Sequence, residues 1–278
     1  MMKISLQKER FFILYFPLLI TMTFIMFPFY WTVNTALKNE GDIVKTPLEY
    51  IPSQITFDNF INAWNNIGFA LFFKNSLFLA GCTVISVVFF ATLVGYALSR
   101  YRFKGKKAFL LLLLCTQFVP GAMLIIPLFI IFKNLGLISN PLSLIIAYTT
   151  FQIPFNSILM NGFISNVPVQ LEEAAMVDGC SRLQAIRHVI FPLLLPGIVA
   201  TGVFTFIYAW NEFLFAFMLT NKAANFTLSV GLSYMMGEFN INYGALAAGS
   251  VIALVPAIIM FAYAQRYLVN GLGGAVKG

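Results

Sequence analysis

Few side chains in this sequence are able to do covalent chemistry. Its one histidine, His188, has no Cys or His neighbour at metal-ligand spacing, and it reads as a solvated or structural residue. The three cysteines, Cys82, Cys115 and Cys180, are odd in number and widely spaced, two in apolar runs and one in a polar loop. No disulfide framework, metal site or resident cofactor is expected from them. The phosphate-cradling pattern GxxxxGK[ST] has no counterpart, because Gly105-Lys106 is followed by Lys107 and lacks the upstream glycine. Two features remain to be explained: a carboxylate inside an apolar run, at Asn211-Glu212, and a polar stretch between two such runs, Asn166 to Pro196.

The elements around these residues are dictated by composition. Of the 278 residues 60% are hydrophobic and only 10% charged, 31 are Phe, and the mean hydropathy is +0.86. Soluble domains carry roughly 25% charged residues, so a water-facing surface could not be covered. An all-α integral membrane protein is expected. A helix needs roughly 20 apolar residues to cross about 30 Å of hydrocarbon. Six segments qualify: Phe11 to Val33, Phe72 to Leu98, Ala108 to Phe132, Leu142 to Phe163, Ile190 to Met218 and Tyr243 to Tyr263. Pro17, Pro28, Pro120, Pro127 and Pro154 read as kinks inside a packed bundle. The first segment has the basic start of a secretory signal, but its apolar run is too long and no A-x-A site follows, so it is taken as an uncleaved helix.

Orientation follows from Lys and Arg in the flanks. Twelve of the 17 basic residues fall at the N-terminus (Lys3, Lys8, Arg10), the second-to-third connection (Arg100, Arg102, Lys104, Lys106, Lys107), the fourth-to-fifth connection (Arg182, Arg187) and the tail (Arg266, Lys277). Lys38, Lys45, Lys74, Lys133 and Lys222 fall on the other face. Both termini are therefore expected in the cytoplasm of a cell-membrane protein, with the net charge of +7 serving topology rather than nucleic acid. The expected organisation is a cytoplasmic N-terminus and first helix over 1–37, an extracytoplasmic loop over 38–71, a core transmembrane domain over 72–266 and a cytoplasmic tail over 267–278. In the outer loop, Phe57, Phe60, Ile61 and Trp64 recur at helical spacing behind Thr56 as N-cap. Such a helix lies along the outer interface with Trp64 as anchor, or packs on the bundle.

The polar stretch is not shaped like a flexible linker. Pro168 sits where a helix begins, Glu172 and Glu173 fall in its first turn, and Gly179 suits a left-handed ending. Ser181 with Gln184 forms a capping box that opens a second helix containing Arg182, Arg187 and His188. The result is a rigid helix of about eight residues, roughly 12 Å long. Ala174 and Ala175 would let another surface come close, although an ordinary connector resting on headgroups has the same features.

These residues carry a resemblance. Glu173-Ala174-Ala175, Gly179 and Pro192 resemble the EAA loop of ABC importer permeases, whose pattern is EAA, three residues, G, nine residues, I-x-L-P; Val189 and Phe191 replace the isoleucine and leucine. Gly95-Tyr96-Ala97-Leu98-Ser99-Arg100 with Phe103 and Gly105-Lys106, Val119-Pro120 with Ile126-Pro127, Trp210-Asn211-Glu212-Phe213, the external stretch from Pro52 to Asn59 and the terminal Gly274-Ala275-Val276-Lys277-Gly278 are similar to the carbohydrate-uptake branch, specifically the maltose-type smaller permease. The resemblance implies a type I ABC importer transmembrane domain, a bundle of about six helices with a cytoplasmic coupling helix in the loop 166–188. It further implies ATPase coupling through Glu173, Ala174, Ala175, Asp178, Gly179, Arg182 and Pro192. The implied partners are a second permease subunit in a heterodimer, two cytoplasmic ABC ATPase subunits and an extracytoplasmic solute-binding protein, with membrane lipid around them. ATP hydrolysis would belong to the partners, and this chain would not itself be an enzyme.

An intramembrane carboxylate costs about 2.5–3.5 kcal/mol on insertion scales, so Glu212 is expected to face protein or water, or to be protonated. Asn211 and Glu212 then line or gate a translocation pathway, or they hold helices together. Asn75, Gln117, Gln152, Asn156 and Asn161 pose the same choice. Asn225-Phe226-Thr227 fits a glycosylation pattern and is read as chance. The alternative function is an ATP-independent secondary transporter that uses Glu212 as an ion or proton site; an intramembrane enzyme lacks a catalytic set.

Overall fold

In lipid every backbone N–H and C=O must be satisfied within its own segment, which leaves helices as the solution for long apolar runs. The computed structural model describes residues 11–236 and 241–273, and no strand occurs among them. Lys3, Lys8, Arg10 and the terminal 274–278 stretch, for which expectations are stated above, lie outside the described residues, as does the Arg266 side chain. The main helices are α1 (Phe16–Ala36), α2 (Phe69–Arg100), α3 (Lys106–Thr116), α4 (Ile125–Asn134), α5 (Pro141–Ser165), α6 (Val169–Val177), α7 (Arg182–Ala185), α8 (Leu195–Asn211), α9 (Leu214–Leu219), α10 (Leu228–Tyr234) and α11 (Tyr243–Gly273). Four spans, Phe12–Ala36, Phe69–Arg100, Pro141–Ser165 and Tyr243–Gln265, are long and apolar enough to cross a membrane unaided. Two bent pairs bring the number to six when each pair is one span.

The bent pairs correct two expectations. The third apolar segment is not one kinked helix: Lys106–Thr116 and Gly121–Asn134 meet at 88°. The cause is Pro120, which lacks an N–H and sits extended at φ −62°, ψ 123°. The fifth apolar segment does not run unbroken to Met218. Arg182–Leu193 and Leu195–Asn211 meet at 72°, and α8 stops at Asn211 because Glu212 turns extended, at φ −67°, ψ 129°. The expected 267–278 tail also begins inside a helix, since α11 continues to Gly273.

The chain resolves into two compact units, Met1–Ala70 with Leu232–Leu254, and Leu71–Gly231 with Val255–Gly278. The first unit has a small-residue core of Ala36, Ala63, Ala245, Ala247 and Ala248, packed by Phe60, Ile67, Met235 and Val251. Its polar ties close helix ends. The Asn59 amide donates to the carbonyls of Ala36 at 2.9 Å and Lys38 at 2.7 Å, which α1 leaves without intrahelical partners. Glu40 accepts from the N–H groups of Tyr243 at 2.8 Å and Gly244 at 2.9 Å at the start of α11. Asp58 N–H donates to Thr56 Oγ1 at 3.1 Å, so Thr56 caps the short helix Asp58–Ile61 one residue further out than an N-cap. That helix and the π-helical turn Asn62–Asn66 bury Asn59 and Ala63, pack Phe60 on the core and leave Phe57, Ile61 and Trp64 exposed, so only part of the expected apolar face packs on the protein.

In the second unit α5 and α8 pack antiparallel. Gly197 lies against Phe163, where a Cβ would stand 2.7–2.9 Å from the ring. Further along, Phe155 meets Phe204 at 5.7 Å and Tyr148 meets Tyr208 at 5.9 Å between ring centroids. Below Gly197 the core gathers Met160, Ile164, Val167, Ile190 and Leu194, with Tyr96 and Val189 against it. This cluster connects the end of α2 to the stretch that contains α6 and α7.

Candidate functional site

The turn from α6 to α7 is built from local rules. Pro168 precedes the first residue of α6, and Glu172 alone, not Glu173, occupies its first turn. The helix ends in a Schellman motif: Cys180 N–H donates to Ala175 O at 3.0 Å and Gly179 N–H to Met176 O at 3.1 Å. Gly179 has φ +91°, and nothing lies within 4 Å of where a Cβ would stand, so the backbone conformation rather than crowding demands glycine here. The Ser181–Gln184 capping box is present, with Ser181 N–H donating to Gln184 Oε1 at 2.8 Å and Gln184 N–H to Ser181 Oγ at 3.4 Å. His188 presents Nδ1 to Gln184 O at 3.0 Å on an exposed surface, as a solvated structural residue does.

The turn presents an apolar and acidic face. Val177 is 87% and Leu183 76% exposed, and Glu173, Ala174 and Asp178 are exposed beside them, whereas Ala175 is buried. Arg182 donates to Tyr101 Oη at 2.9 Å and so braces the turn against the segment that follows α2. Pro192 sits in the short helix before the 72° break rather than on the exposed turn.

What fixes the turn is a residue pair whose partnership the sequence does not announce. Glu172, buried, accepts from Arg100 Nε at 2.5 Å and from Tyr96 Oη at 2.9 Å. The same guanidinium donates through Nη2 to Val167 O at 2.9 Å and through Nη1 to Ser99 Oγ at 3.2 Å. Ser99 Oγ in turn meets Ser165 Oγ at 3.1 Å. One arginine thus ties the end of α2, the end of α5 and the first turn of α6. Both side chains of the pair are only 7% exposed. The one sequence signal was an acid in a first turn, and nothing pointed from it to Arg100.

A second feature is a cavity of about 780 Å³ bounded by α3, α4, α5, α8 and α9. Gln117, Thr150, Gln152, Tyr208 and Glu212 contribute its polar wall, and Leu124, Leu128, Phe132 and Phe151 much of the rest. Glu212 is held at the break between α8 and α9. Its Oε1 accepts from Phe215 N–H at 2.8 Å, and its Oε2 accepts from Ala216 N–H at 3.1 Å and Tyr148 Oη at 2.7 Å. Ser229 Oγ donates to its backbone carbonyl at 2.6 Å.

The remaining expected residues separate. Asn211 does not line the cavity, and its amide donates to Ile207 O in its own helix at 2.9 Å. Asn75 donates to Ala224 O at 2.8 Å and Phe226 O at 3.0 Å, holding a loop. Asn156 donates to Gln152 Oε1 at 3.0 Å, and its own Oδ1 and that of Asn161 are buried without a partner. In the Asn225-Phe226-Thr227 tripeptide the Asn225 amide is engaged by Ser139 O, and Phe226 and Thr227 are buried.

Comparison with known proteins places this geometry among transport proteins. The family model for the binding-protein-dependent transport system inner membrane component matches residues 87–273. The diacetylchitobiose uptake system permease of Streptomyces coelicolor is 37% identical over 255 residues, which covers 91% of this chain and 92% of that one. The trehalose transport system permease of Mycobacterium tuberculosis is 33% identical over 258 residues, 92% of this chain and 93% of that one. Among solved structures, a bacterial ABC transporter involved in the import of the acidic polysaccharide alginate has a chain with the same fold, at a TM-score of 0.82 and 23% identity over 94% of this chain and 98% of that one.

Proposed function

The chain belongs to the family of binding-protein-dependent transport system inner membrane components, and from this premise we propose that it is a multi-pass permease subunit forming half of the pathway of an ATP-driven carbohydrate importer. The observation that carries the reading is the α6–α7 turn, a short helix closed by a Schellman ending, followed by the Ser181–Gln184 capping box and pinned at its base by Arg100–Glu172, with an exposed face of Glu173, Ala174, Val177, Asp178 and Leu183. On this reading the face docks on a cytoplasmic ABC ATPase. ATP-driven closure of two such ATPases pushes the turn as a rigid body, and a second permease completes the pathway. Arg182 and Pro192 act behind that face, one bracing it and the other setting the bend that leads into α8. An extracytoplasmic binding protein delivers the solute, and both termini lie in the cytoplasm on this reading, which the basic flanks support.

The alternative, a secondary transporter with Glu212 as its ion site, has less support. Both Glu212 oxygens already serve structural donors, and a coupling ion would have to displace them.

The test is Gly179→Val. A β-branched residue at φ +91° costs about 1–2 kcal/mol and melts the helix ending without touching a neighbour. Insertion should stay normal while solute uptake falls roughly 5- to 30-fold, with ATP hydrolysis no longer stimulated by loaded binding protein. Unchanged uptake in this variant would remove the support for coupling through the turn.

A further inference from the structure

The wall of the cavity carries a single formal charge, and it is fixed. Among the described residues Glu212 is the one acid that lines the cavity, and no lysine, arginine or histidine does. Lys133, next to the lining residue Phe132, is exposed in the last turn of α4. The Glu212 oxygens face three donors, Phe215 N–H, Ala216 N–H and Tyr148 Oη. Both oxygens are thus turned towards donors, the arrangement that favours a carboxylate's charged form. The donors lock the group in place and leave its charge without a cation to balance it. Leu124, Leu128, Phe132 and Phe151 surround the same space with apolar surface, so the field there is screened less than in open water.

We infer that this cavity is an electrostatic filter: it admits neutral or cationic polyhydroxy solutes and turns away anionic ones such as uronates and sugar phosphates. The inference rests on the pathway reading above and adds the charge class of the solute. The Tyr208 ring supplies an apolar face for a sugar, and the Gln117 and Gln152 amides and the Thr150 hydroxyl supply hydrogen-bonding partners that are neutral. A fixed carboxylate costs a neutral sugar nothing and repels a carboxylate or phosphate carried into the same space.

The experiment uses the assembled importer in membrane vesicles, with Cys82, Cys115 and Cys180 changed to Ser and Leu128→Cys added on the cavity wall. Labelling rates are measured with two methanethiosulfonates of similar size, one bearing a trimethylammonium group and the other a sulfonate. Relative to a small thiol in free solution, the ratio of cationic to anionic rates at position 128 should rise about tenfold, and Glu212→Gln should return it to the free-thiol value. Salt at about 1 M should lower the ratio in the unaltered protein as well, by less than at an open surface, which keeps the test independent of how well the Gln variant folds. A ratio at the free-thiol value, or one that neither Glu212→Gln nor salt changes, overturns the filter and leaves the permease reading standing. A chain that never co-purifies with an ATPase overturns the permease reading, whatever the labelling ratio at position 128.

Discussion

Glu172 and Glu212 are both acids at a junction between helices, and the protein treats them in opposite ways. Glu172 has a guanidinium at 2.5 Å, so the pair is neutral and locks three helix ends into one body. Glu212 has two backbone N–H groups and a phenol, so its junction is tied by neutral donors that bring no compensating charge. On the proposed coupling reading the α6–α7 turn has to be stiff and has no use for a field, and an ion pair with no net charge provides that. On the proposed pathway reading the cavity wall needs its helices held without a bulky cation filling the space, and capping by N–H groups provides that instead. The lesson is that a carboxylate's partners, more than its burial, distinguish mechanical from electrostatic duty.

The largest effect should come from separating the first pair. Arg100→Ala strands Glu172 as a buried charge and removes the link to Val167 O, at a cost of about 3–5 kcal/mol. Thermal unfolding of the purified importer in detergent should show a strong loss of stability, and uptake should vanish with it. Glu172→Gln keeps one acceptor, for Arg100, turns its NH2 towards Tyr96 Oη as acceptor, and leaves the guanidinium bonded to Val167 O and Ser99 Oγ, so it should lose less. Equal losses from the two variants would show that the pair acts through its charge alone and not as a hydrogen-bonded clamp.

Glu212→Ala comes next. It uncaps Phe215 and Ala216 and strands the Tyr148 hydroxyl, for roughly 1–3 kcal/mol in total. Glu212→Gln should recover part of this, because its amide oxygen still accepts, while abolishing the charge. Stability measurements on the two variants therefore separate the tie from the field. If Gln proves as damaging as Ala, the charge itself holds the α8–α9 junction and the contrast with Glu172 disappears.

How much of this was legible depends on how local the interaction is. The α6–α7 turn could be read almost completely, since a left-handed Gly179 and a Ser181–Gln184 box obey spacings of a few residues. Arg100 and Glu172 lie 72 residues apart, and no spacing rule joins them. Arg100 read only as one of a cluster of topology charges. The break at Glu212 was missed for another reason: hydropathy averages over a window, and residues 190–218 are apolar enough to mask one acid whose side chain starts a new helix. The 88° bend at Pro120 was visible as a proline, but a proline in an apolar run gives no magnitude. Of the two pathway candidates, adjacency in sequence put Asn211 beside Glu212, and the end of α8 then directed one towards its own helix and the other to the cavity.

The smallest expected effect tests whether the turn is rigid from its caps or from its anchor. Ser181→Ala removes one acceptor, worth about 1 kcal/mol at an N-cap, while the bond from residue 181 N–H to Gln184 Oε1 and the Arg100–Glu172 pair remain. Amide exchange over Arg182–Ala185 should quicken about fivefold, because that short helix has few bonds of its own, and the exchange of α6 should not change. Uptake should fall only slightly, since Ala185 and Ile190 stay buried and hold α7 in place. Faster exchange that spreads into α6 would mean that the two short helices open as one cooperative unit, and that the anchor at Glu172 does not isolate the lever from the segment behind it.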